Sequence, residues 1–408
     1  MLFSKPKKAI GLDVGSHSVK AVQLSRSGGK WCVDEAGYAL LDRNQLNSDP
    51  VLAHANAVRQ AVFPMLLNQA LVVGALAGQT VVIRYPRITL KGKDSLEAEV
   101  QREAGQNIPF DLSEVTLDWH TLEETGEGEQ KQLRILLVAA KHEVISSRVQ
   151  IFQAADVQVG VLGVDSLALA DAAEACGFLR PNETVALINI GMTAASIHFV
   201  KDGRSNFIRD VSWGARELIQ AIAKDRRCDF EEAQRQLQET GRDETPVAEE
   251  KPAGAFLEAS APESAPSPFG EPGGSLLDPL DEELGGLGEV SAPAKSPFAG
   301  ETSARSIREV LSAPLARMVS EIRRSFDFFE HQLYERPVER IILSGGAAHL
   351  PLVGETLSEE LGVETVEVAD PAASELILSD EASLAALREH PAQFLVAIGL
   401  AARGMADL

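Results

Sequence analysis

Ile10-Gly11-Leu12-Asp13-Val14-Gly15-Ser16-His17-Ser18-Val19-Lys20 is the stretch whose reading decides the fold. An apolar run ends in an aspartate, a glycine turn follows, and a second strand-like run leaves the turn. The pattern returns as Leu187-Ile188-Asn189-Ile190-Gly191-Met192-Thr193-Ala194-Ala195-Ser196. Two facing strand–turn–strand units of this kind suit the phosphates of a nucleotide. Glycine at position 15 lets the backbone come close and turn N–H groups toward oxygens. Ser16 and Ser18 add hydroxyl donors, and Lys20 either adds a cation or lies on a solvent face. Asp13, at a strand end, is placed to hold Mg2+ through water. In the second turn Gly191 repeats the close approach and Thr193 the hydroxyl. Taken alone, the first turn reads equally well as an ordinary β-turn with an aspartate.

Composition narrows the classes. The 408 residues, 45% of them hydrophobic, are enough for two domains with cores of their own. A net charge of −22 argues against a bulk nucleic-acid binder, because phosphate attraction needs a positive field. Cys32, Cys176 and Cys228 stand far apart, and without a C-x-x-C pair they indicate neither a disulfide framework nor a zinc site. The opening Met1-Leu2-Phe3-Ser4-Lys5-Pro6-Lys7-Lys8 lacks the apolar core of a signal peptide. No apolar stretch approaches the ~20 residues of a spanning helix. The expectation is a cytoplasmic protein that meets a membrane only through a partner.

One composition break dominates the chain. Residues 241–304 carry 13 acidic and 3 basic residues among many Pro, Gly, Ser and Ala. Such a segment buries too little apolar surface to offset its ordering entropy, so residues 240–303 read as a disordered acidic insertion. Within it, the acidic–apolar cluster from Leu276 to Leu284 is either a docking peptide or a chance grouping. Elsewhere strands and helices alternate. Residues 9–15, 18–25 and 31–40 read as a strand meander, 50–69 as a helix, and 70–76 and 80–85 as strands. Then come helix 94–106, strands 113–122 and 133–140, helix 142–155 and strand 157–164. Strands 185–191 and 194–201 form a hairpin closing at Asp202-Gly203, and 213–224 reads as a helix. Ser306 and Glu309 form a capping box. Pro314 fits the start of a second helix after Ser312. From there Leu315, Met318, Val319, Ile322, Phe326, Phe329 and Leu333 make a core stripe.

The third piece is Ser344-Gly345-Gly346-Ala347, a buried strand ending in a glycine turn able to pass beneath an adenine or ribose. No G-x-x-x-x-G-K-[ST] occurs, so the chain is not a P-loop protein. Two phosphate turns followed by a late Gly-Gly turn resemble the actin/Hsp70/sugar-kinase superfamily. The resemblance implies an α/β fold of duplicated actin-like (ribonuclease H-like) domains around a nucleotide cleft. The small-residue run Ala397-Ile398-Gly399-Leu400-Ala401-Ala402 looks like one of its interdomain connecting helices.

Within that superfamily the chain resembles the PilM family of type IV pilus assembly proteins. The carriers are Gln101-Arg102-Glu103-Ala104 with Ile108-Pro109-Phe110-Asp111-Leu112 and Leu117-Asp118-Trp119, and Leu136-Leu137-Val138-Ala139-Ala140-Lys141 with Gly163-Val164-Asp165. Phe207-Ile208-Arg209-Asp210 with Gly214, and the run from Glu321 to Phe329, also fit. PilM proteins resemble the division protein FtsA, and residues 84–165 look like its small subdomain. The implied layout is a first domain at 1–182 containing 84–165, a second at 183–390 containing the insertion, and a helix at 391–408 returning to the first. The resemblance further implies ATP with Mg2+ as cofactors. The implied partner is the cytoplasmic N-terminal tail of a PilN-like membrane protein, held at the inner face of the cytoplasmic membrane beside other pilus or secretion-platform components. The implied nucleotide contacts are Asp13, Gly15, Ser16, Ser18, Lys20, Asn189, Gly191, Thr193, Glu217, Gly345 and Gly346, with Asp13 on the metal. Glu217 has a solvated helix face as its alternative.

Three departures qualify that reading. Asn189 stands where the superfamily's second turn has an aspartate, and an amide has no charge and cannot act as a base. Nucleotide binding is expected to survive, with turnover slow or absent; the rival reading is a working ATPase or small-molecule kinase of the same superfamily. His17 stands where a small polar residue is usual, and a solvated histidine is the plain reading. The acidic insertion has no counterpart in the pattern. Arg84, Arg87, Lys91 and Lys93 form a basic stretch that meets anionic groups or is merely a surface strand edge.

Overall fold

The computed structural model describes residues 7–91, 95–126, 130–243, 305–379 and 384–406. The expected disorder of the acidic insertion beyond Asp243, the Leu276–Leu284 cluster and Lys93 lie outside these residues.

The first sheet has six strands in the order Ile377–Leu378, Lys30–Leu40, Ser18–Ser27, Lys8–Val14, Leu71–Leu76, Val161–Val164. Lys8–Val14 pairs antiparallel with Ser18–Ser27, which pairs antiparallel with Lys30–Leu40. On its other side Lys8–Val14 runs parallel to Leu71–Leu76, and that strand parallel to Val161–Val164. The second sheet repeats the scheme. Its order is Arg204–Val211, Ala195–Lys201, Thr184–Ile190, Arg340–Ser344, Thr365–Val368. The first three strands pair antiparallel and the last two add in parallel. Thr184–Ile190 and Arg340–Ser344 are nearly wholly buried and carry the apolar runs Val185–Ile188 and Ile341–Leu343, as strands covered on both faces do. A meander followed by parallel strands, occurring twice, is the actin-like arrangement.

Two helices lie in the core shared by the sheets. Asp165–Ala175 and Leu395–Gly404 pack with Val22 and Val73 of the first sheet and Val185, Leu187 and Ile342 of the second. Small residues set how closely they approach. A Cβ at Gly399 would lie 1.8 Å from the Ala168 carbonyl oxygen, and one at Gly11 1.9 Å from that of Ala397. Only glycine lets these backbones touch.

A third, small sheet is built on Gln130–Lys141, which pairs with Val81–Arg84 and Arg87–Lys91 on one side and Val115–Thr125 on the other. The helix Leu96–Asn107 closes a separate core with Ile88, Leu133, Ile135 and Leu137. All three sheets belong to one compact unit that runs to Glu244 and resumes at Ser306.

Several expected boundaries move. The helix from Pro50 ends at Val62, and a short 3-10 turn at Leu67–Gln69 precedes the strand Leu71–Leu76. The expected strand 157–164 is formed only at Val161–Val164, and the last helix begins at Leu395 after a 3-10 turn at Pro391–Gln393. Pro314 does not open a second helix. One helix, Ile307–Asp327, starts at the Ser306–Glu309 capping box and runs through it. Its buried face, Val310, Leu311, Pro314, Leu315, Met318, Val319, Ile322 and Phe326, continues unbroken across the proline, and that burial offsets the ~3 kcal/mol an interior proline costs. Leu333 leaves the stripe. The helix passes into a π-turn at Phe328–Gln332, which adds a residue to the turn and shifts the phase, so Phe329 stays buried while Leu333 is 37% exposed.

Candidate functional site

The two glycine turns occupy equivalent places at the ends of their sheets. Gly15 N–H closes the first turn on the Ser18 carbonyl at 3.1 Å, and Gly191 N–H closes the second on the Ala194 carbonyl at 2.9 Å. Asp13 therefore matches Asn189, and Lys20, opposite Asp13, matches Ser196, opposite Asn189. The turns meet: Ser16 Oγ and Thr193 Oγ1 are 3.1 Å apart. Ser18 does not share in this, being 2% exposed and engaged through its carbonyl.

The charges are divided unequally. On the first side Lys20 Nζ lies 3.3 Å from Asp13 Oδ2 as a cross-strand pair. Arg148, from the helix His142–Ala154, donates to the Val14 carbonyl at 3.1 Å. Its burial disfavours the charged form, which the neighbouring Asp13 and Asp165 carboxylates favour. On the second side Asn189 Oδ1 accepts from Ser344 Oγ at 3.2 Å. That ties the altered second turn to the third glycine motif. Gly345 itself needs glycine, since its φ is +89° and a Cβ would lie 2.3 Å from the Ile190 carbonyl oxygen. Gly346 faces open space, and nothing nearby demands glycine there.

Two further carboxylates line this region. Asp165, at the start of the helix Asp165–Ala175, accepts from Gly78 N–H at 2.7 Å and Ser166 N–H at 2.6 Å. Burial, reinforced by the Asp210 and Asp13 charges, pushes it up to about 7. Asp210 accepts from Ser196 Oγ at 2.5 Å, and burial raises it too. Both stand in segments whose family resemblance is legible, but neither follows a glycine-turn pattern. A strand-end aspartate after Gly163-Val164 was the one visible signal.

The remaining expected residues lie on the rim. Glu217, on the helix Ala215–Arg226, pairs at 2.9 Å with the exposed Arg317. His17 is not a solvated histidine. It is half-buried 3.5 Å from Gln234, and burial, then Arg43 and Lys20, hold its pKa down. Arg43 stacks on Phe230 and pairs with Glu231 at 2.9 Å, so the helix Phe230–Asp243 reaches across to the first side. Arg84 and Arg87 are exposed on the small sheet, away from the turns.

The residues fit a nucleotide with its cation in part. Asp13 and Lys20 supply charge, and Ser16 and Thr193 supply hydroxyls, between two close-approach turns. Among the described residues no group of three ligating side chains forms a metal cage. A Mg2+ ion here would depend on one carboxylate, water and phosphate oxygens, as this ion commonly does. No helix among the described residues is long and apolar enough to cross a membrane.

Paired meander-plus-parallel sheets, with their glycine turns meeting at Ser16 and Thr193, define an actin-like protein. The family model described as type IV pilus assembly protein PilM matches residues 11–244 and 297–405, and the chain belongs to that family. Among solved structures, a PilM-PilN type IV pilus biogenesis complex shares the fold with a TM-score of 0.71 at 21% identity, covering 98% of this chain and 99% of that one. The ethanolamine utilization protein EutJ from Carboxydothermus hydrogenoformans aligns at a TM-score of 0.48 with 14% identity, over 98% and 90% of the two chains. An archaeal actin homolog solved with ADP aligns at 0.41 with 13% identity, over 96% and 97%.

Proposed function

We propose that this chain is an actin-like, nucleotide-binding scaffold of a type IV pilus or related secretion platform. It binds the cytoplasmic N-terminal tail of a PilN-like membrane protein and is thereby held at the inner face of the cytoplasmic membrane. The single observation that carries the reading is the family match over both halves of the chain. The domain layout belongs to the same proposal: 1–182 with the small subdomain 84–165, 183–390, and 391–408.

In this reading ATP lies between the turns at 13–18 and 189–194. Gly15 and Gly191 allow the backbone's approach, Ser16 and Thr193 donate hydroxyls, and Gly345 passes beneath the nucleoside. Mg2+, held through Asp13, would neutralise phosphate charge. Asn189 contributes an amide tied to Ser344 and no carboxylate, so the nucleotide is kept and its turnover is slow or absent.

The rival, a working ATPase, would draw on Asp165, a buried carboxyl near Asp13 that accepts from Gly78 and Ser166 N–H and whose pKa burial raises. Equilibrium titration with ATP and Mg2+, followed by phosphate release, separates the two. Binding without release is expected, and sustained turnover would overturn the scaffold reading. The partner is tested by titrating a synthetic N-terminal tail of a PilN-like protein. No saturable binding to the intact chain removes that part of the proposal.

A further inference from the structure

The helix His142–Ala154 packs against the first sheet and is fixed there by Phe152. That ring is 1% exposed and takes the space a side chain at Gly74 would need, on the strand Leu71–Leu76: a Cβ at Gly74 would lie 2.6 Å from Phe152 Cζ. Ile151 and Ala155 pack in the same core, and the Arg59 guanidinium binds the Ala154 carbonyl. Residues four apart share a helix face, so Arg148 lies on the stripe of Phe152, one turn nearer the helix start. A cation thus occupies a core-facing position on this helix.

The guanidinium comes out at the carboxyl end of the strand Lys8–Val14, where Nη1 donates to the Val14 carbonyl at 3.1 Å. Asp165, which follows the strand Val161–Val164, and Asp13 both favour its charge, against the desolvation that opposes it. Among the described residues neither carboxylate forms an ion pair with it, and its remaining N–H groups have no protein acceptor. Asp165 turns Oδ1 to the Gly78 and Ser166 N–H groups instead. The cations nearby are committed, Lys20 to Asp13 at 3.3 Å and Arg43 to Glu231 at 2.9 Å. A buried charge is ordinarily paired. Arg148 is desolvated, pinned by one bond and left with donors unspent, whereas a strut for the Val14 carbonyl needs one N–H and no charge.

We propose that Arg148 binds the terminal phosphate of the nucleotide and so sets a preference for a triphosphate over a diphosphate. The inference deepens the function proposed above and rests on its nucleotide cleft. The carboxyl ends of sheet strands are where ligands gather in α/β folds. A guanidinium presents parallel N–H groups to phosphate oxygens, and here it also offsets Asp13 and Asp165, which would repel a phosphate at this edge. The choice of the terminal phosphate follows from the two ends of the site. Gly345, which underlies the nucleoside in that reading, lies against Ile190 and Asn189 of the second sheet. Arg148 lies against Val14 of the first, and the contact of Ser16 with Thr193 stands between the two sheets. A phosphate chain that starts at Gly345 and passes Gly191 and Gly15 reaches Arg148 last.

Arg148→Gln tests this, because it keeps an N–H for the Val14 carbonyl and removes the charge. Equilibrium dialysis of the full chain with ATP and with ADP, each with Mg2+, gives the readout. ATP affinity falls roughly ten- to a hundredfold, the size of a lost hydrogen bond to a charged group, while ADP affinity changes by less than about threefold. An unchanged ATP affinity, or an equal loss for ATP and ADP, overturns the inference and leaves the nucleotide cleft standing. If circular dichroism shows that variant unfolded, Arg148→Lys takes its place. Its donors sit on one nitrogen and match a phosphate less well, so the ratio of ATP to ADP affinity falls, and an unchanged ratio overturns the inference. A parent chain that binds neither nucleotide fails the functional reading instead, and inorganic tripolyphosphate against pyrophosphate then decides. The parent prefers the longer chain and Arg148→Gln does not; equal binding of the two by the parent, or none, overturns the inference.

Discussion

Arg340 offers the sharpest test of what joins the two halves. It opens the strand Arg340–Ser344 at 3% exposure and spends its guanidinium on three groups. Nε and Nη2 hold the two oxygens of Glu183 at 2.7 Å each, Nη1 holds Glu367 at 2.8 Å, and Nη2 also reaches the Phe178 carbonyl at 2.6 Å. Glu183, 7% exposed, and Phe178 belong to the crossover by which the chain leaves the helix Asp165–Ala175 for the second sheet. Arg340→Met keeps the volume and removes the charge. Glu183 is then a buried carboxylate whose remaining cation is the exposed Arg180 at 4.0 Å. Removing one partner of such a pair costs about 3–5 kcal/mol, a large share of the roughly 5–15 kcal/mol that stabilises a typical protein. Arg340→Met/Glu183→Leu removes both charges, and recovers at least about 2 kcal/mol of that loss. Equilibrium urea unfolding in low and high salt measures both variants, and the loss is independent of salt because the pair is shielded from solvent. A single variant costing less than about 1 kcal/mol, or a double variant no more stable than the single, refutes the account of a buried ionic anchor.

Three other perturbations have expected outcomes. Asp165 binds a proton more tightly folded than unfolded, so its contribution to stability is full below the unfolded value near 4 and is lost as pH rises through about 7; Asp165→Asn therefore gains stability relative to the parent between pH 4 and 7, by at most about 1.4 kcal/mol per unit, read from urea midpoints across pH. Gly399→Ala drives a methyl into the Ala168 carbonyl and costs about 3 kcal/mol as the two core helices part, measured by thermal unfolding; a loss below 1 kcal/mol contradicts the close crossing. Asn189→Asp supplies the charge the second turn lacks and raises ATP turnover about tenfold or more in a phosphate-release assay, whereas an unchanged rate shows that the amide is not what limits hydrolysis.

The turns were legible because their chemistry is local. Asp13-Val14-Gly15 and Asn189-Ile190-Gly191 each carry a strand end, a glycine and a polar residue within one short window, and one fold answers to both. Ser18 is buried, and that burial depends on which strand covers it and not on its neighbours in the chain. Pro314 and Leu333 were misplaced for a related reason. Local rules stop a helix at proline and keep a stripe in phase, while the core around Met318 and Phe329 overrides the first rule and a π-turn breaks the second. The Arg204–Val211 strand was visible only as a family segment, although Ser205, Asn206 and Asp210 all make partners far away in sequence. Asp165 and His198 were unreadable as a connected pair: what couples them is the backbone of Ser166, its N–H on Asp165 and its carbonyl on His198, and no residue pattern encodes a backbone partner.

A cleft lined by two identical hairpins would look the same from either side, and a ligand with unlike ends would enter it either way round. Here two matched polar positions differ: Asp13 corresponds to Asn189, and Lys20 to Ser196. One turn carries a carboxylate–ammonium pair, and the other an amide beside a hydroxyl that is bonded to the Asp210 carboxylate. The duplication therefore has a polarity: its two turns offer unlike chemistry to whatever lies between them.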